Sequence, residues 1–405
     1  MDVHASPAAL PELKEFLGAF QIRFRRPEGA AALERYLTGL LTELPNKHCE
    51  TLAQAVPSTS EPRLQECLTN RPWDEEDLNR QRVQQRLAAA TLGAGVLGLD
   101  DTGFPKQGKA SVGVARQYAG PLGKVGHGQI AVTCCSTDPQ ATWPGGVRLY
   151  LPQAWAEDRE RRSKARVPAE AAFQTKPEIA LARLDQARAW GIPPRCVVAD
   201  ADDGDNPHFL AGWEARQERD VVGVRADFWV SHQRQARSPV QRVDQLLRAR
   251  PRWQWRTIRW RHGTKGWLRK KFVAVRCWRI TSDGQRHVGG LLGERATRGQ
   301  PEERKDSWSH LPASAILEEL AGYAHRRYAV EPCHEEAKGE VGWDQYQGRL
   351  WPGCHRHAVT VMLASSFLVW VELHQRRRPR GQGRPRDPFS PSSGPTAADT
   401  AGAPS

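Results

Sequence analysis

Long apolar runs and disulfide-forming cysteines are what this sequence lacks. No run of about 18 consecutive apolar residues occurs in the 405-residue chain, so the sequence predicts no membrane-spanning helix. Residues 1–4 lack the charged and apolar regions of a signal peptide. Eight cysteines in so long a chain do not make a disulfide scaffold. We therefore expect a soluble, cytoplasmic protein with no membrane partner.

The sequence also has few Cys and His pairs at the spacing of zinc ligands. The chain has no Cys-x-x-Cys pair, and only Cys354 and His357 are separated by a gap typical of zinc ligands. Cys333 and His334 are directly adjacent. We expect these residues to be buried thiols and helix-surface histidines rather than a zinc site.

Acidic residues are outnumbered, and in one segment they are missing. The chain carries 59 Lys and Arg against 46 Asp and Glu, a net charge of +13, which favours nucleic acid as a partner. Residues 248–279 contain twelve Lys or Arg and five Trp but no acidic residue. Guanidinium groups neutralise phosphates and indoles stack on bases, so we expect this segment to contact DNA. The alternative is a twisted sheet with core tryptophans and solvated arginines.

Three features of the chain could each bring a carboxylate to one place. They are Asp100-Asp101 at the end of an apolar run, Asp200 at the end of a second apolar run, and the helically spaced Arg327, Glu331 and Lys338. Two strands and a helix that each supply one carboxylate form a minimal ligand set for one or two divalent ions. On a basic chain, this set indicates phosphodiester chemistry on nucleic acid.

The sequence around these carboxylates resembles the DDE transposases of bacterial insertion sequences. The three similar blocks are 100–118, 197–205 and 327–346. Three blocks in the same order are far more specific than one motif. The resemblance implies an α/β fold, namely an RNase H-like mixed sheet flanked by helices. Because Asp200 and Glu331 lie 131 positions apart, it also implies a β-rich insertion between the second and third carboxylates.

The resemblance further implies that Asp100, Asp200 and Glu331 are catalytic and bind two Mg²⁺ or Mn²⁺ ions. Adjacent strand residues face opposite sides, so only one of Asp100 and Asp101 can enter the site. The related Asp-x-Ser/Thr pattern favours Asp100, and Asp101 is the alternative. Residues expected to contact DNA are Lys106, Arg256, Arg259, Arg261, Lys270, Lys271, Arg327 and Lys338.

Pro332 affects where the helix that carries the third carboxylate, Glu331, is predicted to begin. Proline disfavours helical backbone at the residue before it, so we predict a helix that begins at Pro332, with Glu331 at its N-terminus. The alternative is that Glu331 and Lys338 form a solvated face.

The periodicity of the chain predicts its organisation. Apolar residues at three- and four-residue spacing predict helices in the first 90 residues, and alternation predicts strands at 96–100, 110–118, 129–135, 196–200 and 220–225. The predicted divisions are a helical, DNA-binding or packing domain (1–90), the first part of the core (91–230), a β-rich basic insertion (231–310), the C-terminal core helices (311–374) and a disordered basic tail (375–405).

We therefore predict a transposase that binds double-stranded DNA, both terminal inverted repeats and target, as a homodimer associated with the nucleoid. One alternative is a transposase-derived, sequence-specific DNA-binding protein without cleavage activity. A second is an RNase H-like nuclease that acts on RNA or branched DNA.

Overall fold

The structure is a computed structural model. It describes residues 11–20, 24, 26–89, 95–119, 123–138, 141–192, 194–200, 206–235, 237–263, 266–281, 283–297 and 304–377. The predicted disordered tail lies outside these residues from position 378 onward.

Helices make up the N-terminal part of the described chain, as predicted. They are α1 (Pro11–Gly18), α2 (Pro27–Leu41), α3 (Cys49–Ala55), α4 (Glu61–Thr69) and α5 (Glu75–Ala89). In α2 the periodic residues Leu33, Leu37 and Leu40 are buried. These helices share one apolar cluster with residues near the C-terminus, including Met362 and Leu363. The two ends of the described chain therefore pack together.

The core sheet has the strand order of an RNase H-like fold. Its strands are β1 (Val96–Pro105), β2 (Ala115–Ala119), β3 (Lys124–Thr137), β4 (Thr142–Leu149), β5 (Cys196–Ala199) and β6 (Asp220–Val224). β3 pairs antiparallel with β1, β2 and β4, whereas β5 lies parallel to both β1 and β6. The order β4-β3-β1-β5-β6 confirms the predicted fold class.

Helices cover the core sheet. They are α6 (Gln153–Glu157), α7 (Arg159–Lys164), α8 (Lys176–Ala189) and α9 (Pro207–Arg216). α8 begins with a capping box, in which Thr175 and Glu178 satisfy each other's backbone N–H groups. Its buried residues pack with Val197 and Val222 on one face of the sheet.

The predicted β-rich insertion continues the same sheet. Its elements are β7 (Trp229–Ser231), β8 (Val240–Arg242), α10 (Val243–Arg248), β9 (Arg256–Gly263), β10 (Gly266–Ile280), β11 (Arg286–Arg295) and β12 (Arg304–Ser309). β12 pairs antiparallel with β6, and the order then runs β11-β10-β7-β8, with β9 on β10. We call β7 to β12 the β-extension.

Three helices follow the β-extension. They are α11 (Leu317–Arg326), α12 (Val330–Gly339) and α13 (Trp351–Arg377), with a short 3-10 turn (Arg327–Ala329) between the first two. α12 begins two residues before Pro332, not at it as predicted. Proline is tolerated there because the N–H groups of the first helical turn have no partner within the helix. Glu331 therefore lies in the first turn of α12.

α13 is a core helix. By length and composition it could cross a membrane, but 56% of its most apolar window is buried in this fold. It carries His355 and His357, which are 6% and 2% exposed. The expectation that His357 lies on a helix surface was wrong, because it packs against the N-terminal helices, while His355 Nε2 lies 3.3 Å from the Leu149 backbone nitrogen in β4. His357 Nδ1 lies 2.9 Å from the Tyr36 hydroxyl.

Candidate active site

Asp100 and Asp200 lie side by side at the edge where β5 ends, with Asp100 within β1 and Asp200 directly after β5. β1 and β5 run parallel, with Gly98 opposite Val198, so the aspartates two residues farther on are in matching positions. The Asp100 side chain is only 14% exposed. Burial and the neighbouring charge of Asp200 raise the pKa of Asp100 to about 7. The pair therefore forms a negative spot that favours a bound cation.

Asp101 points elsewhere. Its carboxylate pairs with Lys176 Nζ at 2.6 Å, in the first turn of α8. The Asp101 side chain is also more exposed, at 39%. The alternation along β1 thus puts Asp100, and not Asp101, beside Asp200.

Glu331 approaches this edge from α12, and Arg327 holds it there. Arg327 Nη2 lies 2.6 Å from Glu331 Oε1, and Arg327 Nη1 lies 3.7 Å from Asp100 Oδ2. The helical path from α11 through the 3-10 turn places Arg327 one turn before Glu331. A guanidinium group therefore stands between the first and third carboxylates. We call Asp100, Asp200, Arg327 and Glu331 the carboxylate edge.

The donor set suits a hard divalent cation, because Mg²⁺ and Mn²⁺ prefer carboxylate oxygens. Burial is the largest cause of the raised pKa of Asp100, and the charge of Asp200 adds to it. Within the described residues, no three His, Cys, Asp or Glu side chains form a group that could hold a metal. The Glu331 carboxylate is turned towards Arg327, so joint binding by all three carboxylates requires Glu331 to exchange that guanidinium for a metal ion.

A cavity of about 590 Å³ lies beside Asp200, between the core and the β-extension. Arg327 and Tyr328 line it from the turn after α11, and Arg304 and Lys305 line it from β12. Basic side chains on two walls suit a phosphate backbone that passes the carboxylates.

The family comparison agrees with this geometry. Residues 15–267, more than half of the chain, match the model of the DDE superfamily endonucleases. The chain belongs to this family. Divalent metal ions are the cofactors of DDE superfamily endonucleases. The match includes Asp100 and Asp200 and ends before Glu331. The assignment of Glu331 as the third carboxylate therefore depends on its position in the fold.

A curated relative supports the same family. It is the "Probable transposase for insertion sequence element IS701" of Microchaete diplosiphon, 28% identical over 198 residues. The aligned region covers 48% of this chain and 49% of the relative. The chain therefore spans about half the length of the curated relative it matches.

Two lysines that were predicted to contact DNA donate to backbone carbonyls. Lys338 Nζ lies 3.1 Å from the Gly103 carbonyl oxygen, and Lys106 Nζ lies 2.7 Å from that of Tyr346. Burial lowers the pKa of both ammonium groups. An ammonium group has three N–H donors, so a phosphate contact remains compatible with these bonds.

The basic part of the β-extension contains both exposed and packed side chains. Arg256, Arg259 and Arg261 are exposed, and Arg256 pairs with Glu318 at 2.6 Å. Among the tryptophans, Trp253 is 78% exposed and Trp255 is 8% exposed. The sheet-core interpretation of residues 248–279 thus fits Trp255, and DNA contact stays a prediction for the exposed side chains.

Lys270 differs from the exposed arginines of β9, because its side chain is held in an ion pair. Its ammonium group pairs with Glu294, and the two side chains are 16% and 4% exposed. His325 Nε2 lies 2.9 Å from the other oxygen of the same carboxylate. Lys270 thus forms an ion pair with a buried carboxylate, and its expected DNA contact stays a prediction, as does that of the half-buried Lys271.

Sequence reasoning missed Thr133 and His334. Their side chains lie 2.8 Å apart, between β3 and α12. Thr133 is one of several polar residues in a long strand, and His334 stood out only as a neighbour of Cys333. No local signal links two positions about 200 residues apart.

Proposed function

We propose that the protein is a DNA transposase that cuts the ends of an insertion sequence and joins them to target DNA. The observation that supports this most is the parallel register of β1 and β5, which sets Asp100 beside Asp200 in a member of the DDE endonuclease family. Glu331 completes the set from α12, one guanidinium group away.

In this proposal Asp100, Asp200 and Glu331 bind two Mg²⁺ or Mn²⁺ ions. When bound, such ions activate the attacking water or DNA 3′-hydroxyl and stabilise the departing oxygen. The raised pKa of Asp100 favours a protonated carboxyl group while no cation is bound. Asp100 would lose this proton when it binds a metal ion. Arg327 then leaves the carboxylates and becomes available to a DNA phosphate.

The partner is double-stranded DNA, in the form of terminal inverted repeats and of target. The exposed arginines of β9 and the basic walls of the cavity supply sequence-independent phosphate contacts. We expect a homodimer on DNA, because two ends must be cut and joined together, and a cytoplasmic location at the nucleoid.

The test uses labelled DNA that carries the inverted repeats flanking the coding region, with Mg²⁺ or with a chelator. We expect metal-dependent cleavage at the repeat end, and we expect Asp200→Asn to bind the DNA without cutting it. If the unmutated protein binds the repeats but never cuts, it is a transposase-derived DNA-binding protein. If RNA–DNA hybrid or branched DNA competes better than the repeat, the protein is a nuclease of another kind.

A further inference from the structure

α12, which carries Glu331, packs directly against β1, which carries Asp100. Val330 is fully buried and packs over Gly98. A Cβ atom built on Gly98 would lie 2.3 Å from Val330 Cγ2. The absence of a side chain at Gly98 therefore allows the first turn of the helix to approach the strand.

A chain of two hydrogen bonds continues this contact one turn later. The Thr133 hydroxyl donates to the Asp100 carbonyl oxygen at 3.1 Å. His334 Nε2 lies 2.8 Å from the same hydroxyl. Thr133 and His334 are 1% and 7% exposed, so neither bond competes with bulk water. The chain ties the helix of the third carboxylate to the backbone of the first.

The direction of both bonds is fixed by their chemistry. A carbonyl oxygen cannot donate, so the single hydroxyl proton of Thr133 goes to Asp100. The Thr133 oxygen must then accept, and His334 Nε2 must carry a proton. Burial lowers the pKa of His334 to about 3, so the ring is neutral near pH 7 and its Nδ1 is unprotonated. One tautomer thus satisfies the whole chain.

The other end of α12 is held as well. Lys338 Nζ donates to the Gly103 carbonyl oxygen and lies 5.2 Å from the centre of the Phe104 ring. Three successive turns of α12 therefore contact β1, directly or through Thr133. None of these contacts involves the Glu331 carboxylate itself.

We propose that His334 and Thr133 are positioning residues that set the distance between Glu331 and Asp100 through the Asp100 backbone. The inference rests on the proposed function, because that distance matters only if the two carboxylates act on a common metal. A misplacement of about 1 Å can lower a reaction rate about a hundredfold. Loss of the hydrogen-bonded chain should therefore produce a measurable fall in the cleavage rate.

The experiment compares Thr133→Val with Thr133→Ser. Valine keeps the size of threonine but removes the hydroxyl, whereas serine keeps the hydroxyl. We expect Thr133→Val to lower the single-turnover cleavage rate by about tenfold to a hundredfold, with the Kd for DNA unchanged. Thr133→Ser should stay within about threefold of the unmutated rate. Equal rates for all three proteins, or equal losses in both variants, would overturn the proposal.

A double variant separates positioning from stability. Thr133→Val leaves the buried His334 N–H without an acceptor, which lowers the stability of the fold. Thr133→Val with His334→Phe removes both polar partners and should regain much of that stability. We expect this double variant to unfold like the unmutated protein and to cleave as slowly as Thr133→Val. Full recovery of cleavage would show that the hydrogen bonds are not needed for positioning.

Metal binding distinguishes this proposal from the proposed function. Mn²⁺ alone is titrated into the full chain by calorimetry, without DNA. We expect Thr133→Val to raise the apparent Kd for Mn²⁺ by about tenfold over Thr133→Ser, in line with the loss seen when groups that orient metal ligands are removed. If the unmutated protein fails to cleave any DNA, the proposed function fails, and the Mn²⁺ titration still decides the positioning role. Equal Kd values for Mn²⁺ in the two variants would overturn it.

Discussion

The carboxylate edge and the β9–β10 hairpin are both charged, but their charges are held in opposite ways. At the edge, Asp100 is 14% exposed and every carboxylate has a charged neighbour within the fold. On the hairpin, arginines such as Arg259 and Arg261 are exposed along one strand. Buried charges interact strongly at short range, whereas exposed charges are screened by water and salt.

The contrast teaches that a charge count alone does not predict the effect of removing a charge. Removal of one charge from the carboxylate edge changes the chemistry of its neighbours. Removal of one charge from the hairpin slightly weakens the electrostatic attraction of this surface for DNA. We therefore expect all-or-none effects at the edge and graded, salt-dependent effects on the hairpin.

The largest effect is expected from Asp100→Asn, with Asp101→Asn as its matched control. The first removes a charge that a divalent ion needs, and strand cleavage should fall by about three orders of magnitude or more. Asp101 pairs with Lys176 instead, so its variant should cleave at close to the unmutated rate. Gel-based cleavage at saturating DNA measures both. The reverse pattern would transfer the ligand role to Asp101.

Lys270→Met tests the buried charge within the β-extension. It leaves the Glu294 carboxylate, which is 4% exposed, with only His325 as a partner. Removal of one member of a buried pair costs about 3 kcal/mol, and denaturant unfolding measures the loss. Lys271→Met, at the half-buried neighbour, should change the free energy of unfolding by less than about 0.5 kcal/mol. Equal losses would mean that Lys270 behaves as a surface charge.

His310 predicts a pH dependence where the β-extension joins the core. Burial by itself lowers the pKa of His310, but hydrogen bonds with Asp220 at 2.7 Å and Glu214 at 3.0 Å outweigh it and raise the pKa to about 9. The stabilisation from this group is complete below about pH 6.5 and is lost as the pH rises through about 9. Thermal unfolding from pH 6 to 10 should show this decline.

The matched variant for this pH series is His310→Gln, which keeps hydrogen bonding without a titratable charge. Its stability should fall less between pH 6.5 and 9 than that of the unmutated protein. Parallel curves for the two proteins would assign the decline to other groups.

The smallest effect per residue is expected on the hairpin. Replacement of Arg256, Arg259 and Arg261 by Ala should lower the magnitude of the salt slope of DNA binding by up to about 0.9 per lost phosphate contact. Replacement of the same three residues by Lys keeps the charge and should leave that slope unchanged. Fluorescence anisotropy across a salt series measures both. An unchanged slope in the Ala variant would mean that these arginines do not contact phosphate.

Much of the core fold was predictable from short sequence patterns. The apolar runs that end at Asp100 and Asp200 proved to be adjacent parallel strands, and the helical spacing in the first 90 residues proved to be α1 to α5. β4 was missed because its Pro144, Gly145 and Gly146 look like a turn. Only the pairing of β4 with the long β3 makes these residues a strand.

The sequence by itself determined which residues could form the site, because apolar runs, helical spacing and charge are local properties that survive without a structure. The tertiary structure decided which of them meet. It set Asp100 beside Asp200, turned Asp101 to Lys176 and placed Arg327 between two carboxylates. It also paired Lys270 with the buried Glu294 while Arg269 stayed exposed, and it joined His334 to Asp100 through Thr133. These outcomes depend on strand register and on contacts between distant segments, and no local pattern encodes such contacts.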